Sequence, residues 1–364
     1  MNNIYKETNS TYTVQFSYKD QLGQSKRRKK RGFKTLQDAK KYLVTQENLK
    51  YEGKLGIQKY ECLEVLNKYL DELKYQTKIS TYLKKKHIYQ KYFEQQINGL
   101  TIDTIDNRFV LRYKEYLRGL DLHNNHKNTI YSAVSSYMNF AVKYGFASTN
   151  PFRYLNDFTR TKREQTIWSM DHLKQFISES HDPALNTMVW VLFMTGMRKG
   201  EYRALTWNDI DFTNQVIRIY KTRSFISGIG YQTTTPKTNS SVREVLIDSY
   251  TLEVLKNYKH YCSAYYGFTE EDIILYVNGE ELSNETLRRN FKKTITRLKL
   301  PNIRIHDLRH SHATMLFRTE ISPLLISKRI GHKDVQTTMN IYTHVTNTDY
   351  KKLISNLEET IKIG

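Results

Sequence analysis

Residues 306–314 read HDLRHSHAT and residues 329–344 read RIGHKDVQTTMNIYTH. In the first stretch His306 and Arg309 stand three positions apart, which on a helix puts both on one face. In the second, His332 follows Gly331, a glycine suited to the left-handed residue that closes a helix. A short helical run over Asp334–Ile341 then leads to Tyr342. Upstream, TGMRKGE at 195–201 carries Arg198 and Glu201, and TPKTNSSVREV at 235–245 carries Lys237. Around these stretches alternation predicts strands at Gln215–Arg223, Tyr231–Thr235 and Val242–Ile247, while helical periodicity covers Met170–Glu179, Ala184–Met194 and Leu252–Tyr261. The region 165–364 therefore reads as one mixed, mainly helical domain with a small antiparallel sheet.

Working back toward the N-terminus, a charged connection at Thr159–Gln165 follows the helix-breaking Asn150–Pro151. Before it, helical patterns at Cys62–Leu73, Thr81–Phe93, Phe109–Leu117 and Ile130–Tyr144 define an all-helical module over 60–150. Lys84, Lys85 and Lys86 in its second helix suit phosphate neutralisation and an ordinary solvated face equally well. Gly53 and Gly56 mark a polar linker. Residues 1–55 read as a hairpin, with strands from Thr11 to Tyr18 and on to Phe33 about a turn at Asp20–Gly23, then a helix capped by Thr35 and running to about Leu49. The second strand presents Lys26, Arg27, Arg28, Lys29, Lys30 and Arg31 in succession. Such a basic ribbon can enter a DNA groove; a six-residue charge run is also compatible with a solvated basic loop. The fold class is α+β and multidomain.

The 364 residues carry 57 lysines and arginines against 37 acids, a net charge of +20. That balance favours a polyanionic partner, nucleic acid or an anionic membrane surface. No apolar run approaches the length of a membrane span, the greasiest stretch being Met188–Met194, and the first residues lack a signal-peptide core. Cys62 and Cys262 lie far apart without metal-ligand or redox-pair spacing and read as two reduced cysteines of a cytoplasmic protein.

The four chemistry-bearing segments, in their order, resemble the tyrosine recombinases of phages and integrative elements. Their pattern is an arginine, a hairpin lysine, His-x-x-Arg, a Gly-His and a later tyrosine. The resemblance covers roughly residues 167–345, and the N-terminal layout fits phage-type integrases. It implies a catalytic set of Arg198, Lys237, His306, Arg309, His332 and Tyr342, with Glu201 in support, and a 3′-phosphotyrosine intermediate. His306 then helps remove the tyrosine proton, His332 donates to the phosphate and Lys237 protonates the leaving 5′ hydroxyl. Lys221 and Lys256 stand nearby as alternatives to Lys237. Lys26–Arg31 and Lys84–Lys86 become candidate DNA contacts.

Elementary chemistry agrees with these roles. Attack on a phosphodiester builds charge on two non-bridging oxygens, which planar guanidinium forks match. A phenol with a pKa of about 10 needs a base and cationic surroundings to act as a nucleophile. The phosphotyrosine ester conserves the bond energy, so neither ATP nor a metal cofactor is expected, and His310, His312 and His344 read as structural or supporting. The resemblance further implies double-stranded attachment sites, a homo-tetramer on DNA in a bacterial host cell, and an excisionase or DNA-bending host factor as accessory. The amphipathic tail Asp349–Ile363 fits packing on its own domain and docking on a neighbouring protomer equally. Two rivals remain: a type IB topoisomerase, with the same chemistry but no pairing of sites, and a DNA-binding regulator with relic active-site residues.

Overall fold

The structure, a computed structural model, describes residues 3–8, 10–19, 25–51, 60–154, 156–159, 166–236, 241–277, 280–319, 321–332, 335 and 339. The chain divides into two compact units, Met1–Lys162 and Arg163–Gly364. The first unit contains two separate hydrophobic cores.

The smaller core belongs to a three-stranded antiparallel sheet in the order β1 (Asn3–Lys6), β2 (Tyr12–Lys19), β3 (Ser25–Phe33), followed by α1 (Leu36–Tyr51). Val14, Phe16 and Ala39 are its buried residues. The sequence leads one to expect only a hairpin; β1 adds a third strand, and its four residues are too few to display alternation. The expected cap is present: Thr35 Oγ1 accepts the Asp38 N–H at 3.1 Å and donates to Asp38 Oδ2 at 2.7 Å. β3 is an edge strand, and Lys26 through Arg31 are all exposed. Where β2 advances from Tyr12 to Val14, β3 advances from Phe33 to Lys30, so Arg31 and Gly32 form a bulge, with Gly32 at a φ of 87°. Bulges of this kind twist an edge strand away from further pairing.

The larger core is helical: α2 (Cys62–Gln76), α3 (Ile79–Tyr92), the single turn α4 (Glu94–Ile97), α5 (Asn107–Gly119) and α6 (Asn124–Lys143). Its interior is rich in aromatic pairs, among them Tyr69 edge-on to Tyr89 and Phe93 edge-on to Tyr113. Phe152 and Phe158 are buried in the same core, so it reaches past residue 150.

The second unit is organised around α8 (Pro183–Thr195), buried on nearly every side, which is why its sequence is apolar all round rather than striped. Packed with it in one core are α7 (Met170–Glu179), α10 (Ser249–Tyr265), α11 (Asn284–Arg297) and α12 (Asp307–Arg318). α9 (Lys199–Tyr202) is a single turn, and α13 (Pro323–Ile330) follows α12. A three-stranded antiparallel sheet is ordered β4 (Ile210–Asp211), β5 (Val216–Ile219), β8 (Arg243–Leu246); β6 (Thr222–Ile226) and β7 (Gly230–Thr234) pair separately, as do β9 (Tyr276–Val277) and β10 (Glu280–Glu281).

Two expectations need correction here. The stretch Gln215–Arg223 is not one strand, because the chain leaves the first sheet after Ile219 and begins the β6–β7 hairpin at Thr222. Nor do the described strands on either side of residue 237 pair with each other: β7 pairs with β6 and β8 with β5. Lys237 itself lies outside the described residues, as do Tyr342, His344, most of Asp334–Ile341 and the segment Asp349–Ile363.

Candidate active site

α8 stops where Gly196 turns left-handed, at a φ of 65°, and donates its N–H to Leu192 O. A Cβ at this position would lie 2.5 Å from His312 Cδ2 and 2.8 Å from Ile330 Cγ2, so glycine is what lets the ends of α8 and α13 approach α12. Two residues later Arg198 precedes α9. Its N–H donates to Glu201 Oε2 at 2.8 Å and its Nη1 to Glu201 Oε1 at 2.7 Å.

α13 ends at Gly331, left-handed at a φ of 69°. The last carbonyls of any helix lack partners within it, and the negative end of its dipole favours cations. Here three guanidiniums from three distant segments supply both needs. Arg243 Nε donates to Arg329 O at 2.7 Å, Arg309 Nη1 to Ile330 O, and Arg198 Nη2 to Gly331 O at 2.8 Å. Arg309 Nη1 also donates to Gly196 O at 2.8 Å, tying the end of α8 to the end of α13. The next residue is His332, its N–H bonded to Ser327 O at 3.0 Å. The structure thus brings Arg198, Glu201, Arg309 and His332 to one helix end.

Glu201 is 3% exposed and also accepts from Arg243 Nη2 at 2.9 Å. Burial pushes its carboxyl up, but the hydrogen bond and charge of Arg243, aided by Arg198, outweigh this and hold it below the usual carboxylate range. Removing one member of such a buried pair strands the other charge, at a cost of about 3–5 kcal/mol. Arg309 is equally buried, and its Nη2 has no hydrogen-bond partner among the described residues. A buried N–H left unpaired is unfavourable unless an acceptor arrives. Burial and the neighbouring Arg198 lower the Arg309 guanidinium to about 9, still cationic at neutral pH.

His306 is the residue just before α12 rather than one inside it, while Arg309 is in the first turn and donates its N–H to His306 O at 3.2 Å. The His306 ring keeps an exposed side and meets His310 edge-on, with centroids 5.4 Å apart. Desolvation by the crowded surroundings, then His310 and Arg309, lower His306 to about 4. Desolvation with Arg309 and Arg198 does the same for His332. Both imidazoles are therefore neutral at pH 7, each able to accept one proton and donate another. His312 is buried and its Nε2 accepts from Arg329 Nε at 3.2 Å.

Of the alternative lysines, Lys221 is engaged elsewhere, with Nζ 2.7 Å from the buried Asp209 carboxylate and donating to Thr206 Oγ1 at 3.2 Å. Lys256 lies on α10 in a shallow cleft with Phe212, Lys259 and His260. Sequence reasoning missed Arg243 and Arg329, although both fall within the quoted segments. Alternation could have flagged Arg243, which shares the inward face of β8 with Val245.

Among the proposed DNA contacts, Lys26–Arg31 line the exposed edge strand, and Lys30 Nζ sits 4.5 Å above the Tyr42 ring, its stem covering the small core. Lys84 is exposed, whereas Lys85 Nζ donates to Tyr69 Oη at 3.3 Å, so the three lysines of α3 are not equivalent. Among the described residues no helix is long and apolar enough to cross a membrane, and no group of three histidines, cysteines or carboxylates could hold a metal ion.

Comparison with known proteins adds three family-model matches: the phage integrase family over residues 164–349, an arm DNA-binding domain over 3–45, and a phage integrase SAM-like domain over 61–162. The ICEBs1 integrase of Bacillus subtilis is 27% identical over 300 residues, covering 80% of this chain and 81% of its own. The integrase of Staphylococcus phage L54a is 26% identical over 296 residues, covering 72% and 82%. The fold matches that of the Tn1549 transposon integrase solved with transposon right end DNA, with a TM-score of 0.71 at 18% identity over 82% of this chain and all of that one. A lambda integrase dimer bound to a COC' core site matches with a TM-score of 0.58 at 18% identity, over 93% of this chain and 94% of that one.

Proposed function

Because the chain belongs to the phage integrase family, whose model spans just over half of it, and is a tyrosine-type site-specific DNA recombinase, we propose that Arg198, Lys237, His306, Arg309, His332 and Tyr342 are its catalytic residues, with Glu201 in support. The observation that carries this reading is the convergence of Arg198, Arg309 and His332 on the C-terminal end of α13, with the buried Arg309 Nη2 lacking an acceptor among the described residues.

In the proposed reaction Tyr342 Oη attacks the scissile phosphorus and the bond from phosphorus to the 5′ oxygen breaks. His306, neutral at pH 7, takes the phenolic proton, and Lys237 gives a proton to the departing oxygen. Arg198, Arg309 Nη2 and a neutral His332 Nε–H or Nδ–H stabilise the charge on the non-bridging oxygens. These donors are held by protein carbonyls and Glu201 before substrate arrives, so little reorganisation accompanies the transition state. Attack of a second strand's 5′ hydroxyl on the 3′-phosphotyrosine reverses the step and completes exchange, integrating or excising a mobile element.

The three domains, 1–55, a helical one from 60 whose core runs on to Phe158, and 165–364, supply an arm-site reader, a core-site clamp and the catalytic domain. The exposed basic edge of β3 is the arm-site contact, and Lys84 with its neighbours contacts core-site phosphates. By analogy with lambda integrase, solved as a tetramer on a Holliday junction, four protomers act together on DNA. An excisionase or DNA-bending host protein sets direction, in the bacterial cytoplasm. Trapping on a nicked suicide duplex tests the catalytic reading: wild type forms a covalent adduct and Tyr342→Phe binds the same DNA without one. An adduct from Tyr342→Phe at the wild-type rate refutes the nucleophile.

A further inference from the structure

Arg243 differs from the other guanidiniums at the end of α13. Its Nε donates to Arg329 O at 2.7 Å, its Nη1 to Ser241 O at 3.1 Å and its Nη2 to Glu201 Oε2 at 2.9 Å. Every nitrogen of the fork already has a protein acceptor, and the side chain is 7% exposed. Arg309, by contrast, keeps an Nη2 without a partner among the described residues. Arg243 is therefore turned toward protein acceptors and away from solvent, and it touches both things that orient the other two arginines.

Glu201 Oε2 is shared between the Arg198 N–H and Arg243 Nη2, while Oε1 takes Arg198 Nη1. Without Arg243 the buried carboxylate would be matched by Arg198 alone and would draw that guanidinium inward. The same loss would untie Arg329 O, one of the three carbonyls fixed at the end of α13, whose neighbours Ile330 O and Gly331 O hold Arg309 and Arg198. A lysine could preserve the charge but, as a single ammonium on a flexible stem, could not span acceptors in three directions.

We propose that Arg243 is a positioning residue for phosphate capture: by bracing Glu201 and the last turn of α13, it fixes the places from which Arg198 and Arg309 engage the scissile phosphate. This rests on the assignment of those two arginines as phosphate ligands. The test uses the full-length protein and single-turnover adduct formation on two suicide duplexes, one with a phosphodiester at the scissile position and one with a methylphosphonate. The methylphosphonate replaces one charged non-bridging oxygen by methyl, so it asks less of the cations. Arg243→Gln and Arg243→Lys should each slow adduct formation on the phosphodiester by about 10- to 100-fold, the range for residues that orient a ligand rather than supply it. On the methylphosphonate that defect should largely vanish, as it should for Arg198→Ala. The double variant Arg198→Ala/Arg243→Gln should be slower than Arg198→Ala, through the part of the effect that runs by way of Arg309, but by clearly less than the product of the two single effects, because the part that runs by way of Arg198 is already lost.

Equal slowing on both linkages would mean general damage to the fold and would overturn the proposal, as would fully multiplicative effects in the double variant. Should Arg243→Gln not fold, the Arg243→Lys comparison between linkages decides alone. A wild-type protein that forms no adduct at all would instead sink the catalytic reading, whereas a wild-type adduct together with undiminished Arg243→Lys and Arg243→Gln rates sinks only this one.

Discussion

Gly196→Ala is the sharpest probe of how the active site is assembled. Two independent costs apply at this position. A non-glycine residue at a φ of 65° sits in the left-handed region, at about 1–2 kcal/mol. The new methyl carbon would also fall 2.5 Å from His312 Cδ2 and 2.8 Å from Ile330 Cγ2, an overpacking that typically costs about 1–3 kcal/mol. Together these amount to about 2–5 kcal/mol, and for a unit of this size each kcal/mol lowers the melting midpoint by about 2–4 °C, giving roughly 4–20 °C. All three tryptophans, Trp168, Trp190 and Trp207, lie in the second unit, so tryptophan fluorescence on heating reports that unit selectively. Gly228→Ala provides the control, since Gly228 has a φ of 80° but open space around its Cβ position, and should show only the backbone cost. Cleavage should fall further than stability alone dictates in Gly196→Ala, because Gly196 O holds Arg309 Nη1. A midpoint no lower than that of Gly228→Ala, with wild-type cleavage, would refute the close approach of α8, α12 and α13 described above.

Three further outcomes follow from the same geometry. Arg309→Lys should retain DNA binding but lose adduct formation by about 10²–10³-fold, the cost of removing one preorganised donor from a developing oxyanion; a rate near wild type would remove Arg309 from the phosphate. His312 is held to about 3 by burial and Arg329, against 6.5 when unperturbed, so the unfolded chain binds its proton first as pH falls. Its contribution to stability is therefore complete above the unfolded value and declines below it, by about 2 kcal/mol at a pH of about 5. Urea titrations near neutrality and near that lower pH should show His312→Gln losing less on acidification than wild type, and equal losses would refute the assignment. Deleting residues 1–55 should leave cleavage of a core site intact while weakening assembly on long attachment DNA; undiminished recombination by the truncated protein would remove the arm-site role.

Much of this architecture was legible because local signals and tertiary structure agree. The Thr35 cap, the helical periods of α2, α3, α5 and α6 and the apolar α8 all appear where sequence patterns put them. Gly331 closes α13 as its spacing with His332 suggests. What stayed hidden depended on partners remote in sequence. β1 is too short to announce itself and exists by pairing with β2. The break after Ile219 reflects the choice of β8 as partner for β5, which no window of sequence contains. Arg243 and Arg329 resemble any other bases in a strongly basic chain until the fold reveals that they donate to main-chain carbonyls at the ends of α13 and α8.

The hub at the end of α13 has an evolutionary consequence. Its acceptors at residues 329, 330 and 331 are main-chain carbonyls, so what orients the cations is a helix terminus and not any side chain that α13 contributes. Substitutions along the outward face of that helix, at Leu324 and Leu325 for example, leave those acceptors in place. Descendants of this protein could diverge across the surface of α13 and still inherit the same anion-binding geometry, provided they keep a residue tolerant of the left-handed turn at 331 and arginines that reach it.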